Sequence, residues 1–427
     1  MSKKINLTLV AISVITTTLP LSTLATNGYS SHGWGTQSKS MAGIGVAMPL
    51  DNLNGANNPA TLLEVGHRMD FGLSLFSPNR GYAANNDSSI GYPTVSPGNY
   101  ESDSEYFLIP SFGYNIPLDQ LSTIGILIGA NGGMNSEYNN AVFSAFNNPA
   151  GTASTPTGID LKQLFIGIPY ARKLNAQHSI GIMPIIGIQS FKGYGLEPFR
   201  PFSSAPEQLT NQGTDLAYGA GLRIGWFGKI QQRWSIGLSY QTRIYMTEFE
   251  DYKGLFAEHG DFDVPATLVI GTAFQATPTV TAAFDIQTIY YSQVNTLGNR
   301  SDLTFMPGTI ALGTDDGLGF GWDDMTIFKW GLQWQMQPDF TLRAGYSHAN
   351  QVIPHTQALF AILAPAVVRD HITLGLGQKI TPDSEINLSF MYAPEEKLFG
   401  SNPNTGTQTG HVEMSQYELE ITWSQRW

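Results

Sequence analysis

From residue 68 onward the chain repeats one pattern, an apolar residue followed by a polar one. In residues 417–427, Tyr417, Leu419, Ile421, Trp423 and Trp427 fall on one side. Glu418, Glu420, Thr422, Ser424 and Arg426 fall on the other, and only Gln425 interrupts the apolar row. A period of two places alternate side chains on opposite faces of a β-strand, so this is a strand with one apolar and one polar face. The same split sets Trp234, Ile236, Leu238 and Tyr240 against Ser235, Gly237, Ser239 and Gln241, and Phe328, Trp330, Leu332 and Trp334 against Lys329, Gly331, Gln333 and Gln335. It recurs at 340–347 and 371–377. About fourteen such segments follow one another, an even number as bacterial membrane barrels require. Connections alternate between short turns (117–120, 174–177, 337–339, 381–384) and long loops (78–103, 133–156, 192–212, 292–319, 394–409). These features predict an all-β chain, a transmembrane antiparallel β-barrel whose apolar rows meet lipid and whose Trp and Tyr residues form interfacial girdles. Trp423, Trp330 and Leu374 should face lipid, with Arg343 and Glu420 inside.

Composition supports a barrel over a soluble sandwich. Charged residues are 13% of the 427, about half the ~25% usual in soluble domains. Glycine is abundant at 45 residues, aromatics reach 11%, and mean hydropathy is −0.10. A lipid face averaged with a wet lumen gives this balance. The first 25 residues read as a signal peptide, with Lys3 and Lys4, an apolar stretch at 7–21 and a small-residue cleavage site at 23–25. After them, no apolar run reaches the ~18–20 residues of a spanning helix. The expected location is the bacterial outer membrane. A net charge of −12 argues against a nucleic-acid partner, and the absence of cysteine excludes disulfides and thiol chemistry.

Residues 26–67 break the pattern. They are rich in Gly and Ala, lack sustained alternation, and could hold one short helix at 38–47. Such a segment packs compactly in a confined space. It is predicted to be a plug inside the barrel formed by 68–427. Its residues Gly33, Gly35, Lys39, Ala42, Gly43, Gly45, Val46, Ala47 and Asp51, followed by Asn58-Pro59-Ala60, resemble the N-terminal hatch of the FadL/TodX family of outer-membrane transporters (OMPP1/FadL/TodX). The terminal strand, ending on an aromatic residue, resembles the outer-membrane C-terminal signal, with Trp427 where Phe is usual. The resemblance implies uptake of long-chain fatty acids or other hydrophobic compounds through a hatch-closed barrel, first capture in a groove between outer loops, and a sideways exit at an inward-kinked strand. It makes Gly43, Gly45, Asn58, Pro59 and Ala60 the gate residues. The expected partners are a hydrophobic small molecule, outer-membrane lipid, and the assembly machinery that reads the last strand.

The lumen-facing positions agree in part. Phe107, Ile109, Leu127, Met183, Ile185, Val269 and Ile289 are inward and apolar, which suits a hydrophobic solute or packing against the plug. Burying a methylene is worth ~0.8 kcal/mol. Inward cations are Arg223, Arg243, Lys329, Arg343, Arg369 and Lys379. Arg243 or Arg343 could meet a carboxylate, or pair with lumen acids such as Asp263, Asp285, Glu418 and Glu420. Two outer loops are apolar, with Leu196, Phe199, Phe202 and Leu209 in one and Leu359, Phe360, Ile362 and Leu363 in the other. Glycines 129, 132 and 133 cluster in one strand, where Gly129, Gly132 and Gly133 permit a bulge. The kink is expected there, capped by the 57–60 turn. No Gly-x-Ser-x-Gly or His-Glu-x-x-His motif occurs, so neither an enzyme nor a cofactor is expected. The alternatives are a porin-like channel for small polar solutes and a carrier of aromatic hydrocarbons.

Overall fold

The computed structural model describes residues 26–87, 94–143, 153–302 and 311–427. The expected signal peptide, a second Asn148-Pro149-Ala150 triplet and the Leu359 side chain lie outside what is described. Fourteen antiparallel strands close into a barrel. They are β1 (Arg68–Ala84), β2 (Phe107–Pro117), β3 (Ser122–Tyr138), β4 (Thr157–Gly167, continued by Tyr170–Lys173), β5 (His178–Tyr194), β6 (Asp215–Gln231) and β7 (Trp234–Gln241, continued by Tyr245–Met246). Then follow β8 (Thr267–Gln275), β9 (Val280–Ile289), β10 (Met325–Gln337), β11 (Phe340–Ala349), β12 (Asp370–Lys379), β13 (Ser384–Ser401) and β14 (Thr409–Arg426). Each strand pairs with its sequence neighbour, and β14 pairs back onto β1 from Arg426↔Arg68 to Gly410↔Ala84. Closure removes the free edges that would otherwise be costly in lipid.

The alternation fixes which face is which. Trp330, Leu374 and Trp423 point outward and are 45%, 57% and 43% exposed, whereas Arg343 and Glu420 are buried inside. Lys379 departs from the expected pattern. It lies at the end of β12, next to the short 380–383 turn, and is exposed rather than lumenal. A residue at a strand end escapes the constraint that the two faces impose. Arg369, just before β12, is half-exposed and pairs with Glu396 at 3.0 Å.

Residues 26–62 are mostly buried and bond to β1, β6, β9, β10 and β14. One short helix, Thr36–Lys39, forms there instead of the 38–47 helix that the sequence suggested. Shortly after it, Ala42 and Gly43 take positive φ, which bars a right-handed helix from continuing through to residue 47. Gly43 has no room for a side chain, since a Cβ there would lie 1.8 Å from the His32 carbonyl oxygen.

Candidate functional site

Polar bonds tie the internal segment to opposite walls. Lys39 Nζ donates to Glu418 Oε1 and Glu420 Oε2 on β14, each at 2.6 Å, and the Thr36 hydroxyl donates to Glu420 Oε1 at 2.6 Å. On the other side, the Gly45 and Val46 N–H groups donate to Asp285 Oδ2 on β9, and Lys329 of β10 donates to the His32 carbonyl at 3.0 Å. Asn58 Nδ2 reaches both the Val46 carbonyl (2.7 Å) and the Trp226 carbonyl on β6 (2.9 Å). The Asn58 side chain also accepts from Ala60 N–H and so caps the 3₁₀ turn Pro59–Glu64. Pro59 sits at the first position of that turn, where its missing N–H costs nothing.

The wall is interrupted at β3. Its hydrogen-bonded pairing with β2 runs from Pro117↔Thr123 only as far as Phe112↔Ile128. Beyond that point β3 stays with β4, with a register shift between Ala130 and Gly132, while Phe107–Ser111 of β2 pair only with β1. The internal segment takes up the freed groups. Ser30 pairs with Gly132, and Gly133 N–H donates to the Tyr29 carbonyl at 3.0 Å. A Cβ at Gly132 would lie 1.9 Å from that carbonyl oxygen, so only glycine allows the contact. Pro110 adds no unpaired N–H on the β2 side. Gly129 faces the Trp34 ring. The structure therefore brings Gly129, Gly132 and Gly133 to the interruption but corrects the expected cap. The 57–60 turn lies at β5 and β6, where Ala60 accepts from Ser179 and Asn58 meets Trp226, and Tyr29 takes its place at the interruption. Sequence proximity to the hatch motif could not tell which hatch turn lies against which strand.

Two narrow apolar pockets bear on passage through the barrel. One lies among the outer loops and is lined by Leu196, Phe199, Phe256, Phe320, Phe360 and Leu363, among others. The other abuts the interruption and includes Gly28, Phe76, Gly133, Met134, Trp322 and Met414. Phe320 of the first and Trp322 of the second are in ring contact at 5.9 Å. A more polar pocket lies among His32, Asn131, Arg223, Gln241, Asp285 and Lys329.

The sequence-predicted residues divide among these places. Phe199 lines the outer cavity, and Phe202 packs half-buried against the same cluster. Phe107 and Ile109 belong to that large cluster too, with Phe107 stacked 6.4 Å from Phe76 beside the interruption. Leu127, Met183 and Ile185 form a separate cluster with Trp34, Leu53 and Ala56 of the internal segment. Arg243 donates to Asp263 Oδ2 at 2.5 Å and to the Gln293 carbonyl at 3.0 Å. Arg343 donates to Gln333, Asn387 and Gln37, which binds β11 to the internal segment. In the outer loops, burial and then Asp263 push the Asp261 carboxyl up to about 7.

Sequence reasoning missed an aromatic group beside the cavity at the interruption, formed by Tyr29, Phe262, Tyr291 and Trp322. The Tyr29 ring lies 6.1 Å from Phe262, 5.4 Å from Tyr291 and 6.1 Å from Trp322. The signal was available in the aromatic residues of two long loops, but loops carry no period that would say where those rings point.

A sequence profile described as outer membrane protein transport protein (OMPP1/FadL/TodX) matches residues 12–423. No curated protein matches the chain. Among solved structures, the toluene transporter TodX of Pseudomonas putida is similar at 18% identity and a TM-score of 0.68, covering 94% of this chain and 100% of its own. The Ralstonia pickettii toluene transporter TbuX is similar at 17% identity and 0.63, covering 93% and 99%. A Pseudomonas aeruginosa FadL homologue is similar at 15% identity and 0.66, with the same coverage. At these identities the structures speak for the shared fold.

Proposed function

The chain belongs to the OMPP1/FadL/TodX family of outer membrane transport proteins, and from that premise we propose that it carries hydrophobic molecules inward by passive diffusion. They leave sideways through the β2–β3 interruption. Supporting this reading, the outer-loop cavity and the cavity beside the interruption are both apolar, and their linings touch where Phe320 of one meets Trp322 of the other. A solute that continued into periplasmic water would expose its apolar surface again. For a long acyl chain, at ~0.8 kcal/mol per methylene, that costs on the order of 10 kcal/mol. Departure into lipid avoids this cost. The internal segment is the plug, with Asn58, Pro59 and Ala60 holding its C-terminal turn against β5 and β6. Gly43 lets it fold back on itself.

Long-chain fatty acids and aromatic hydrocarbons both suit an apolar path. Two observations favour the second. Arg243 and Arg343 already have protein partners, and aromatic rings cluster beside the cavity at the interruption. The test uses Pro110→Cys with Ala130→Cys in a chain that has no native cysteine. These positions flank the interruption, two residues beyond the Phe112↔Ile128 pair. Joining them with a short reducible bis-thiol reagent stops uptake of labelled toluene and oleate into vesicles, and reduction restores it. Uptake at an unchanged rate across the bridged wall would refute the lateral route.

A further inference from the structure

The two apolar pockets share a partition. Phe320 and Leu363 line the outer-loop pocket, whereas Trp322 and Ala364 line the pocket at the interruption. Two loops therefore pass from one pocket to the other within a residue or two. One does so at Gly321, before β10, and the other at the Leu363–Ala364 peptide, before β12. The first lip is held by backbone. Phe320 N–H donates to the Thr296 carbonyl at 3.0 Å, and Trp322 N–H donates to the Leu297 carbonyl at 2.8 Å. Between them Gly321 takes a φ of 70°, and a Cβ there would lie 2.3 Å from Gln357 Oε1, so this lip is wedged as well as bonded. The second lip is held by hydroxyls. Residues 361–366 read Ala-Ile-Leu-Ala-Pro-Ala and bring no polar side chain of their own. The Tyr138 hydroxyl donates to the Ile362 carbonyl at 3.1 Å, and the Ser136 hydroxyl donates to the Leu363 carbonyl at 2.8 Å. Both donors are fully buried at the end of β3, beyond the glycines of the interruption. Next to them the segment folds on itself in two three-residue turns, with Ala366 N–H donating to the Ala364 carbonyl and Val367 N–H to the Pro365 carbonyl.

We propose that residues 362–364 are an inner gate between the two pockets, and that Tyr138 and Ser136 are its latch. The inference rests on the transport reading above and adds the step between capture and exit. The linings meet at the Phe320–Trp322 ring contact, so a solute crosses only when one lip gives way. The first lip moves only if two loop backbones part and Gly321 clears Gln357. The second is freed when two side chains turn to other rotamers, which leaves β3 in the wall. Its own apolar side chains then meet an apolar solute without stranding a polar group of theirs. Tyr138 and Ser136 thus act as positioning residues. They hold the gate from the same strand that carries the exit.

The test measures uptake of labelled toluene and oleate into vesicles carrying the purified full chain, with each variant first checked for a heat-modifiable barrel by electrophoresis. Tyr138→Phe with Ser136→Ala removes both latch hydroxyls and keeps the aromatic ring. Two hydrogen bonds of ordinary strength then no longer hold the gate, and uptake of both solutes rises roughly tenfold. Ser136→Cys with Leu363→Cys, joined by a short reducible bis-thiol reagent, stops uptake, and reduction restores it. A merely structural role cannot give a rise in one variant and a reversible stop in the other. Uptake unchanged or slowed without the hydroxyls, or undiminished with the lip bridged, would overturn the gate. The wall bridge between positions 110 and 130 separates this outcome from failure of the wider reading. If the wall bridge stops uptake and the lip bridge does not, the gate is wrong and the lateral exit stands. If the lip bridge stops uptake and the wall bridge does not, the gate stands and the lateral exit is refuted. An unaltered protein that takes up neither solute refutes transport and the gate with it.

Discussion

Replacing Lys39 with Met tests whether the internal segment is held by charge. Its ammonium donates to two buried carboxylates, Glu418 and Glu420, at 2.6 Å each. Removing one partner of a buried ion pair typically costs about 3–5 kcal/mol, because the other charge stays desolvated. Each carboxylate keeps one hydroxyl donor, Ser74 on Glu418 and Thr36 on Glu420, both at 2.6 Å. That places the loss near the lower end, about 3 kcal/mol, or roughly a hundredfold in the docking equilibrium. The barrel wall is hydrogen-bonded independently of this group and should assemble normally. Hydrogen exchange across residues 30–50, read by mass spectrometry in detergent, should therefore rise about a hundredfold. Combining Lys39→Met with Glu418→Gln and Glu420→Gln removes the orphaned charges and should recover at least a tenth of the lost protection. If Lys39→Met exchanges within threefold of the unaltered protein, packing rather than this ion cluster secures the segment.

Other outcomes follow from the same geometry. Asn58→Ala removes two bonds to carbonyls and one cap, costing about 2 kcal/mol, and should raise exchange at 58–65 while leaving 30–40 protected. Deleting residues 27–63 should increase permeability to small polar antibiotics, measured as sensitivity of cells carrying the assembled barrel; equal sensitivity would refute the plug. Asp261, held up to about 7 by burial and by Asp263, keeps its proton in the folded loop after the unfolded chain has lost it. Loop stability should then fall as pH rises from about 4 to about 7 and level off above. Protease cutting near 257–263 should be slower at pH 5 than at pH 8, and Asp261→Asn should flatten the difference.

How much could be read in advance depended on what constrained each residue. Trp423 and Glu420 were legible because one face of β14 meets lipid and the other does not, and a one-residue slip would exchange them. Lys379 was misplaced because that constraint ends with the strand. Parity put Leu127 and Met183 inside but said nothing of their neighbours, which proved to be Trp34 and Leu53 of the internal segment. The glycines at 129–133 marked the interruption because a missing side chain has few other uses in a strand. Their partner was illegible, since Tyr29 and Asn58 are both hatch residues and only the folded path separates them. The aromatic group at Tyr29 draws on loops around 262, 291 and 322, brought together by barrel closure alone.

The carboxylates that receive Lys39 lie on the final strand, 379 and 381 residues later in the chain. An early stretch of the chain therefore bonds to a strand made much later. Contacts so distant in sequence form late, after the loop between them has been closed. Until β14 zips onto β1, Lys39 has no counter-charge and the cylinder has an open seam. One event supplies both. A chain stalled before residue 409 would thus be leaky and unlatched together, and any surveillance that senses the open seam would also report the unsecured segment.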